Sequence, residues 1–216
     1  MDIISVTFTQ SGNEACIKTD GGYYDITKAD LKSFVADITG GADISEFSAH
    51  LPMFVPESAV AQLEQLAEKL KAIKYAAYIL GISDKSEKQL VSKLKLKGYS
   101  PAASAQAVAV LKKNGYIDDK RYCTRKCEML ANGKLFGRHR IISELIAKGI
   151  SRTLCEQVLD ECEIDFEENL NILFEKLSKG EIPETREQKK KLSDKLLRYG
   201  YSYDEISGLF DNYADY

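Results

Sequence analysis

Residue types that could support catalysis or bind a metal are few in this chain of 216 residues. Cys123 and Cys127 are four residues apart and would share one face of a helix, but the second close pair of cysteines or histidines that zinc sites usually add is missing. The adjacent Asp118 and Asp119 would point in different directions on a helix, so we predict that they cap helices rather than share a metal ion. We therefore expect no catalytic residue, no metal and no cofactor, and we predict a protein that is not an enzyme.

Positive charge in the middle of the chain favours binding over catalysis. Residues 61–152 carry 19 Lys and Arg against eight Asp and Glu, whereas the net charge is −6 over residues 1–60 and −8 over residues 153–216. A basic centre between acidic ends predicts a polyanionic or acidic partner. The predicted contact stripe for a partner or nucleic acid consists of Lys88, Lys93, Lys97, Arg121, Arg125, Lys126, Arg138, Arg140, Lys148 and Arg152.

Most of these cations lie on a helical unit that occurs three times at a spacing of 51 residues. Gly98, Gly149 and Gly200 share this step, and so do the serines two positions after each of them. In each unit we predict a helix that ends at the glycine in a left-handed conformation, then one apolar residue, then a serine that caps the next helix. Repeated helical units stack into extended surfaces, which usually bind long partners.

The first 60 residues have a different pattern. Ile4, Val6 and Phe8 alternate with polar residues, which predicts a half-buried strand, and Asp20-Gly21-Gly22 predicts a turn between two further strands. Thr27 is a predicted N-cap, and residues 42–57, which contain two prolines, are predicted to be a connection. We thus predict a mainly all-α protein, with tandem three-helix repeats in an elongated array after a small α+β module. The predicted boundaries are 1–60, 61–117, 118–163 and 164–216.

A cytoplasmic location is expected from three features of the sequence. No apolar run approaches the roughly 18 residues needed to span a bilayer. The first residues lack the basic start and apolar core of a signal peptide. Five cysteines, an odd number, argue against a framework of disulfides.

Three stretches of the sequence resemble the RecX family of recombination regulators. They are Ser86–Leu90 with Lys93-Leu94 and Lys97–Tyr99, then Gly115–Tyr122, then Gly137 with Arg140-Ile141, Glu144-Leu145 and Lys148–Ile150. The most specific features are the run Tyr-x-Asp-Asp-x-Arg-aromatic and the later Leu-x-x-Lys-Gly-Ile corner. The chain departs from the family at Gln89, where glutamate is usual, and at Cys123, where alanine is usual; the third repeat is the least similar.

The resemblance implies a non-enzymatic regulator of RecA. Such a protein binds the RecA filament on DNA and restrains strand exchange, ATP hydrolysis and coprotease activity, which places it in DNA repair, recombination and the SOS response. We expect it to act as a monomer. Two alternatives remain: a stand-alone DNA-binding protein that contacts the DNA backbone, and a helical scaffold that binds another protein and no nucleic acid.

Overall fold

A computed structural model describes residues 1–181 and 183–214 of the chain. Within these residues the protein is mostly helical, with eleven helices and one small antiparallel sheet, so the predicted fold class is confirmed. None of these helices is both long and apolar enough to cross a lipid bilayer. The strands are β1 (Asp2–Phe8), β2 (Glu14–Thr19), β3 (Tyr23–Thr27) and β4 (Met53–Phe54), in the order β3-β2-β1-β4.

The helices fall into a group of three near the N-terminus and eight that follow. The first three are α1 (Lys28–Thr39), α2 (Ile44–Ala49) and α3 (Glu57–Ile82). The next five are α4 (Glu87–Lys97), α5 (Pro101–Lys113), α6 (Asp119–Lys134), α7 (Arg138–Ala147) and α8 (Arg152–Glu161). The last three are α9 (Phe166–Ser178), α10 (Arg186–Tyr199) and α11 (Tyr203–Ala214).

The sheet confirms the predicted turn and corrects the predicted face of β1. Strands β2 and β3 form the hairpin expected around Gly21-Gly22. In β1, however, Ile3 is fully buried and Ile4 is exposed, because the pairing with β2 shifts by one residue between Ile3 and Ser5. Because of this bulge, Ile4 does not share a face with Val6, which packs against the core, so the assignment of Ile4 to the buried face was wrong. Phe8, the last residue of β1, is also exposed, although it lies on the same face as Val6.

Residues 42–57 are more regular than the predicted connection. Asp43 caps α2 by accepting a hydrogen bond from the Glu46 amide at 2.8 Å, and β4 adds a fourth strand beside β1. An element of six residues and one of two are too short to show a periodic pattern, which is why the sequence did not indicate them. The predicted cap at Thr27 is confirmed, since its hydroxyl accepts the Asp30 amide at 3.0 Å.

The chain divides into two compact units, each of which is described by itself. The first contains Met1–Asp84 and Leu90–Ile117, and the second contains Lys85–Gln89 and the described part of Asp118–Tyr216. Helix α4 therefore has its first turn in the second unit and the rest of its length in the first. The predicted division into four segments stays a prediction.

Helix α3 serves two cores of the first unit. Its first half, with Leu63, packs on the sheet and on α1, and its second half, with Ala76 and Ile79, packs with α4 and α5. The helical spacing of apolar residues in the sequence predicts one buried stripe along α3, made of Leu63, Leu66, Leu70, Ile73, Ala77 and Leu80. That prediction is wrong at Ala77, which is exposed, because the buried face runs through Ala72 and Ala76 instead. In the second unit, α6 to α8 surround one core and α9 to α11 surround another.

The repeated corners have the predicted conformation. Gly98, Gly149 and Gly200 have φ angles of 101°, 94° and 96°, a region that strains residues with a side chain. Ser100 and Ser151 cap the helices that follow, by accepting hydrogen bonds from the amides three residues later. These glycines and serines therefore have structural roles, as their spacing predicted.

Candidate partner and nucleic-acid interface

The paired aspartates at the start of α6 cap two different helices. Asp118 accepts a hydrogen bond from the Arg121 amide at 3.0 Å and so caps α6 itself. Asp119 accepts the amide of Glu87, the first residue of α4, at 2.9 Å. Each carboxylate satisfies a backbone amide that the helix leaves without a partner. The prediction that this pair caps helices is confirmed.

The residues before and within the first turn of α4 are held by further contacts in the second unit. The Ser86 hydroxyl donates a hydrogen bond to the carbonyl of Lys148, and the Tyr122 hydroxyl donates to Gln89 Oε1 at 3.2 Å. Gln89 also accepts the Ser86 amide at 3.2 Å, so Ser86 and Gln89 form a capping box. Glutamine thus supplies the oxygen that glutamate would supply at this position.

Lys88 lies directly on the glycine corner that follows α7. A Cβ atom added at Gly149 would be 2.5 Å from the Cβ of Lys88, closer than such atoms approach one another. The aliphatic part of Lys88 therefore packs on Gly149, while the residue as a whole is exposed. Half-buried Lys148 contributes its carbonyl oxygen to the contact with Ser86.

A second corner, at Gly200, holds the N-terminus of α7 in a similar way. The Gly137 amide donates to the Tyr199 carbonyl at 2.8 Å, and the His139 amide donates to the Gly200 carbonyl at 3.2 Å. The end of one helix thus offers carbonyl oxygens to the free amides at the start of another. Arg140 completes this contact, since its guanidinium donates to the Arg198 carbonyl at 2.7 Å.

An open basic groove lies between α7 and α10. Its volume is about 480 Å³, and it is lined by His139, Arg140, Ser143, Glu144, Ala147, Leu197, Arg198 and Gly200. The Arg140 guanidinium lies 4.4 Å from the centre of the Phe136 ring, which fixes the plane of this side chain. One carboxylate oxygen of Glu144 is 3.9 Å from Arg140 and offsets part of the positive charge.

Arg198 is a groove residue that the sequence did not indicate. It is in the same repeat position as Leu96 and Ala147, so comparison of the three units shows no basic position there. The one feature of the sequence that could have indicated Arg198 as a groove residue is its place two residues before Gly200, near the end of the helix that forms this corner. The groove unites Arg140, from the predicted stripe, with His139 and Arg198.

Helix α6 presents another group of predicted cations. Arg121 and Arg125 are exposed and one turn apart. Lys126 is half-buried, and its ammonium lies 5.9 Å from the centre of the Tyr122 ring. Lys120, outside the predicted stripe, pairs with Glu161 at 2.8 Å, and their hydrogen bond raises the pKa of Lys120 and lowers the pKa of Glu161.

Two predicted cations are paired with acidic residues of α8. Arg138 forms an ion pair with Asp160, and its guanidinium lies 5.6 Å from the centre of the Phe166 ring. Arg152 lies 3.3 Å from a carboxylate oxygen of Glu156, one turn along the same helix. Because a paired cation attracts a second anion less strongly, these two arginines contribute less to a binding surface than their charges suggest.

Lys93 and Lys97 belong to the first unit. Both are exposed on α4, and the Lys97 ammonium lies 5.5 Å from the centre of the Tyr75 ring. The contacts thus group Arg121 with Arg125 and place Arg140 in the groove with His139 and Arg198. That all ten cations form one continuous stripe stays a prediction.

Three of the four cysteines of the second unit lie within its core. Cys123, Cys127 and Cys155 are buried, and the sulfur atoms of Cys123 and Cys127 are 4.0 Å apart. Burial raises the pKa of Cys155 to about 12, and neighbouring Cys123 adds to this shift. Thiols of high pKa are poor nucleophiles. Among residues 1–181 and 183–214, no group of three or more His, Cys, Asp or Glu side chains is placed to hold a metal ion.

Comparison with known proteins identifies similar sequences over most of this region. A family model described as the second three-helix domain of RecX matches residues 118–159. A protein of Cronobacter sakazakii named Regulatory protein RecX is 31% identical over 148 residues, which cover 64% of this chain and 89% of the relative. A protein of the same name from Salmonella heidelberg is 32% identical over 150 residues, covering 65% of this chain and 90% of the relative.

Solved structures show the same fold over a longer part of the chain. A crystal structure of a regulatory protein RecX superposes with a TM-score of 0.71 at 18% sequence identity, covering 98% of this chain and 100% of the other. The structure of RecX from Lactobacillus salivarius gives a TM-score of 0.61 at 23% identity, covering 67% of this chain and 96% of the other. At these identities the likeness concerns the fold alone.

Proposed function

Because this chain belongs to the RecX family of regulatory proteins, we propose that it is a non-enzymatic regulator that binds the RecA filament on DNA. In this proposal it inhibits the recombinase, ATPase and coprotease activities of RecA in the cytoplasm, and so acts in DNA repair and the SOS response. The partners are the RecA filament and the DNA within it, and the regulator acts as a monomer.

The basic surface of the second three-helix segment is the observation that supports this proposal most. Residues 118–159, which match the family model, carry nine Lys and Arg against five Asp and Glu. Exposed Arg121 and Arg125 lie on α6 of this segment, and Arg140 lies in the groove beside α7. A filament of protein around DNA repeats its negative charge along its length, so cations on several helices would contact it at several points.

Inhibition would follow from occupation of the filament rather than from chemistry. A protein lodged against neighbouring RecA subunits opposes the movements that strand exchange and ATP hydrolysis require. Each exposed charge contact contributes little, about 0.5 kcal/mol, because water and salt screen it. Three such contacts together amount to about 1.5 kcal/mol, or about tenfold in affinity.

The test is inhibition of the RecA ATPase on single-stranded DNA, titrated with this protein. Charge reversal at Arg121, Arg125 and Arg140 should raise the concentration for half-inhibition at least about tenfold. Reversal at the exposed Lys32, Lys176 and Lys190 changes the net charge equally outside the proposed surface and should have less than about a twofold effect.

A second variant with fewer substitutions controls for the possibility that the triple variant fails to fold. Arg140 makes internal contacts, so a double variant with Arg121→Gln and Arg125→Gln leaves that corner unchanged and should still weaken inhibition severalfold. Full inhibition by a folded triple variant would refute this placement of the contact surface. Absence of any inhibition by the wild-type protein would refute the assignment of the partner.

The two alternative functions give different results in the same experiments. A stand-alone DNA-binding protein would bind duplex DNA tightly without RecA, with an affinity that falls steeply as salt rises. A protein scaffold would retain no DNA at any salt concentration. The acidic segments 1–60 and 153–216 oppose tight binding to bare DNA, since they would repel phosphates.

A further inference from the structure

The glycine corner of the first repeat is uncovered, whereas the corners of the other two are covered. A Cβ atom at Gly149 would meet Lys88 at 2.5 Å, and one at Gly200 would meet Arg140 at 2.4 Å. A Cβ atom at Gly98 would have no atom of the described chain within 4 Å, apart from those of its two neighbours in sequence. The glycine corner that packs against a helix N-terminus in the second and third repeats is therefore accessible in the first repeat.

The residue after each glycine shows the same difference. Ile150 and Tyr201 are 3% and 2% exposed, so each fills the space under its corner. Tyr99, the equivalent residue of the first repeat, is only half-buried. Its hydroxyl donates to the carbonyl of Lys71 at 3.3 Å, which holds the ring in place. The first corner thus presents a fixed aromatic ring at the protein surface.

Two further tyrosines of α3 extend this aromatic surface. The Tyr75 ring lies 5.9 Å from Tyr99 and 6.4 Å from Tyr78, measured between ring centres, and it is nearly parallel to Tyr78. These distances are within the range of favourable aromatic pairs. Tyr78 is 65% exposed and forms the outer ring of the group. The Lys97 ammonium lies 5.5 Å from the centre of Tyr75.

The charge around these rings favours an anionic ligand. Lys97 lies over the Tyr75 ring, and exposed Lys71 is one turn before Tyr75 on α3. Nearby Glu68 is half-buried, and its two oxygens accept the amide and the hydroxyl of Ser100 at 2.7 Å each. A basic helix N-terminus, such as that of α7 at the Gly200 corner, would be repelled by these lysines. A negatively charged ligand with flat apolar groups would be attracted.

We propose that Tyr75, Tyr78, Tyr99 and Lys97 form a tyrosine platform that binds single-stranded nucleic acid. An unpaired base stacks on the exposed ring of Tyr78, and the adjacent phosphates approach Lys71 and Lys97. Aromatic rings that stack bases beside cations that hold the backbone are the combination by which proteins bind single strands without reading their sequence. Duplex DNA keeps its bases stacked inside, so it can use the lysines but not the rings.

The test measures binding of a fluorescein-labelled thymidine oligonucleotide to the full chain without RecA, so its result is independent of the function proposed above. Tyr78→Ala should weaken binding about tenfold, the effect of losing one stacked base. Tyr78→Phe keeps the ring and should bind within about twofold of wild type. Tyr23→Ala removes a tyrosine that is 69% exposed in the N-terminal hairpin, and should leave binding unchanged.

Two further ligands separate stacking from simple charge attraction. An abasic oligonucleotide of the same length has the phosphates without the bases, so it should bind more weakly than the thymidine strand and equally to wild type and Tyr78→Ala. An oligoglutamate peptide should displace the thymidine strand only poorly. Equal affinity of wild type and Tyr78→Ala for the thymidine strand would overturn the proposal. Efficient displacement by the peptide would point instead to an acidic protein partner and would also overturn it.

Discussion

Alanine substitution at the three equivalent glycines should destabilise the protein to different degrees. Gly98, Gly149 and Gly200 have nearly the same φ angle, between 94° and 101°, so the backbone strain of an added Cβ is shared by all three. A left-handed conformation costs a residue with a side chain roughly 1–2 kcal/mol. Any difference between the three variants must therefore arise from the neighbours that the Cβ meets.

Those neighbours differ at each corner. At Gly98 the Cβ meets nothing within 4 Å, so we expect a loss of about 1–2 kcal/mol from strain alone. At Gly149 it would be 2.5 Å from Lys88 Cβ, and overpacking adds about 1–3 kcal/mol. At Gly200 it would be 2.4 Å from the backbone nitrogen of Arg140, which a side-chain rotation cannot relieve. We therefore expect the loss of stability to be smallest for Gly98→Ala, larger for Gly149→Ala and largest for Gly200→Ala.

The measurement is urea unfolding followed by far-ultraviolet circular dichroism, supported by hydrogen exchange at the start of α7. Gly200→Ala should speed exchange of the His139 amide, which donates to the Gly200 carbonyl, and Gly98→Ala should leave it unchanged. Equal shifts of the unfolding midpoint in all three variants would refute the reasoning. A larger shift of the midpoint for Gly98→Ala than for Gly200→Ala would contradict the conclusion that the corner at Gly200 is covered and the corner at Gly98 is not.

Three further predictions concern the second unit. Asp119→Ala removes the acceptor of the Glu87 amide and should cost about 1 kcal/mol of stability in urea unfolding, while Asp119→Asn should lose less; equal losses would contradict the cap. Because the pKa of Cys155 is raised from 9.0 to about 12, the stability that its neutral thiol contributes is complete below pH 9 and should fall as the pH rises toward 12, with a smaller fall in Cys155→Ala. Alkylation followed by mass spectrometry at pH 8 should modify half-buried Cys162 before Cys123 and Cys155, and equal rates for the three would contradict their burial.

Helix boundaries in this protein could be predicted from the sequence because they depend on local chemistry. A capping side chain such as Asp165 or Thr185 bonds an amide three residues away, and a glycine such as Gly200 tolerates its own φ angle. Both effects act within one turn of the chain, so they leave a signal in the order of residues. The hairpin around Gly21-Gly22 was predictable for the same reason.

Contacts between distant residues left no such signal. The bulge that exposes Ile4 depends on the pairing of β1 with β2. Arg198 reaches the groove only because the corner at Gly200 packs on α7, and its place two residues before Gly200 does not indicate which helix that corner meets. Asp119 could be predicted to cap a helix, but not that the helix would be α4, 32 residues earlier.

The tyrosine platform illustrates why comparing repeats in three dimensions shows more than comparing their sequences. In sequence, Tyr99 and Tyr201 are equivalent, and both follow a glycine in the same conformation. Tyr201 is buried with its hydroxyl bonded to the Leu135 carbonyl at 3.2 Å, whereas Tyr99 remains half-exposed beside Tyr75. The equivalent position thus closes a corner in one repeat and leaves part of an aromatic ring accessible in another, and only the contacts of the folded chain distinguish the two.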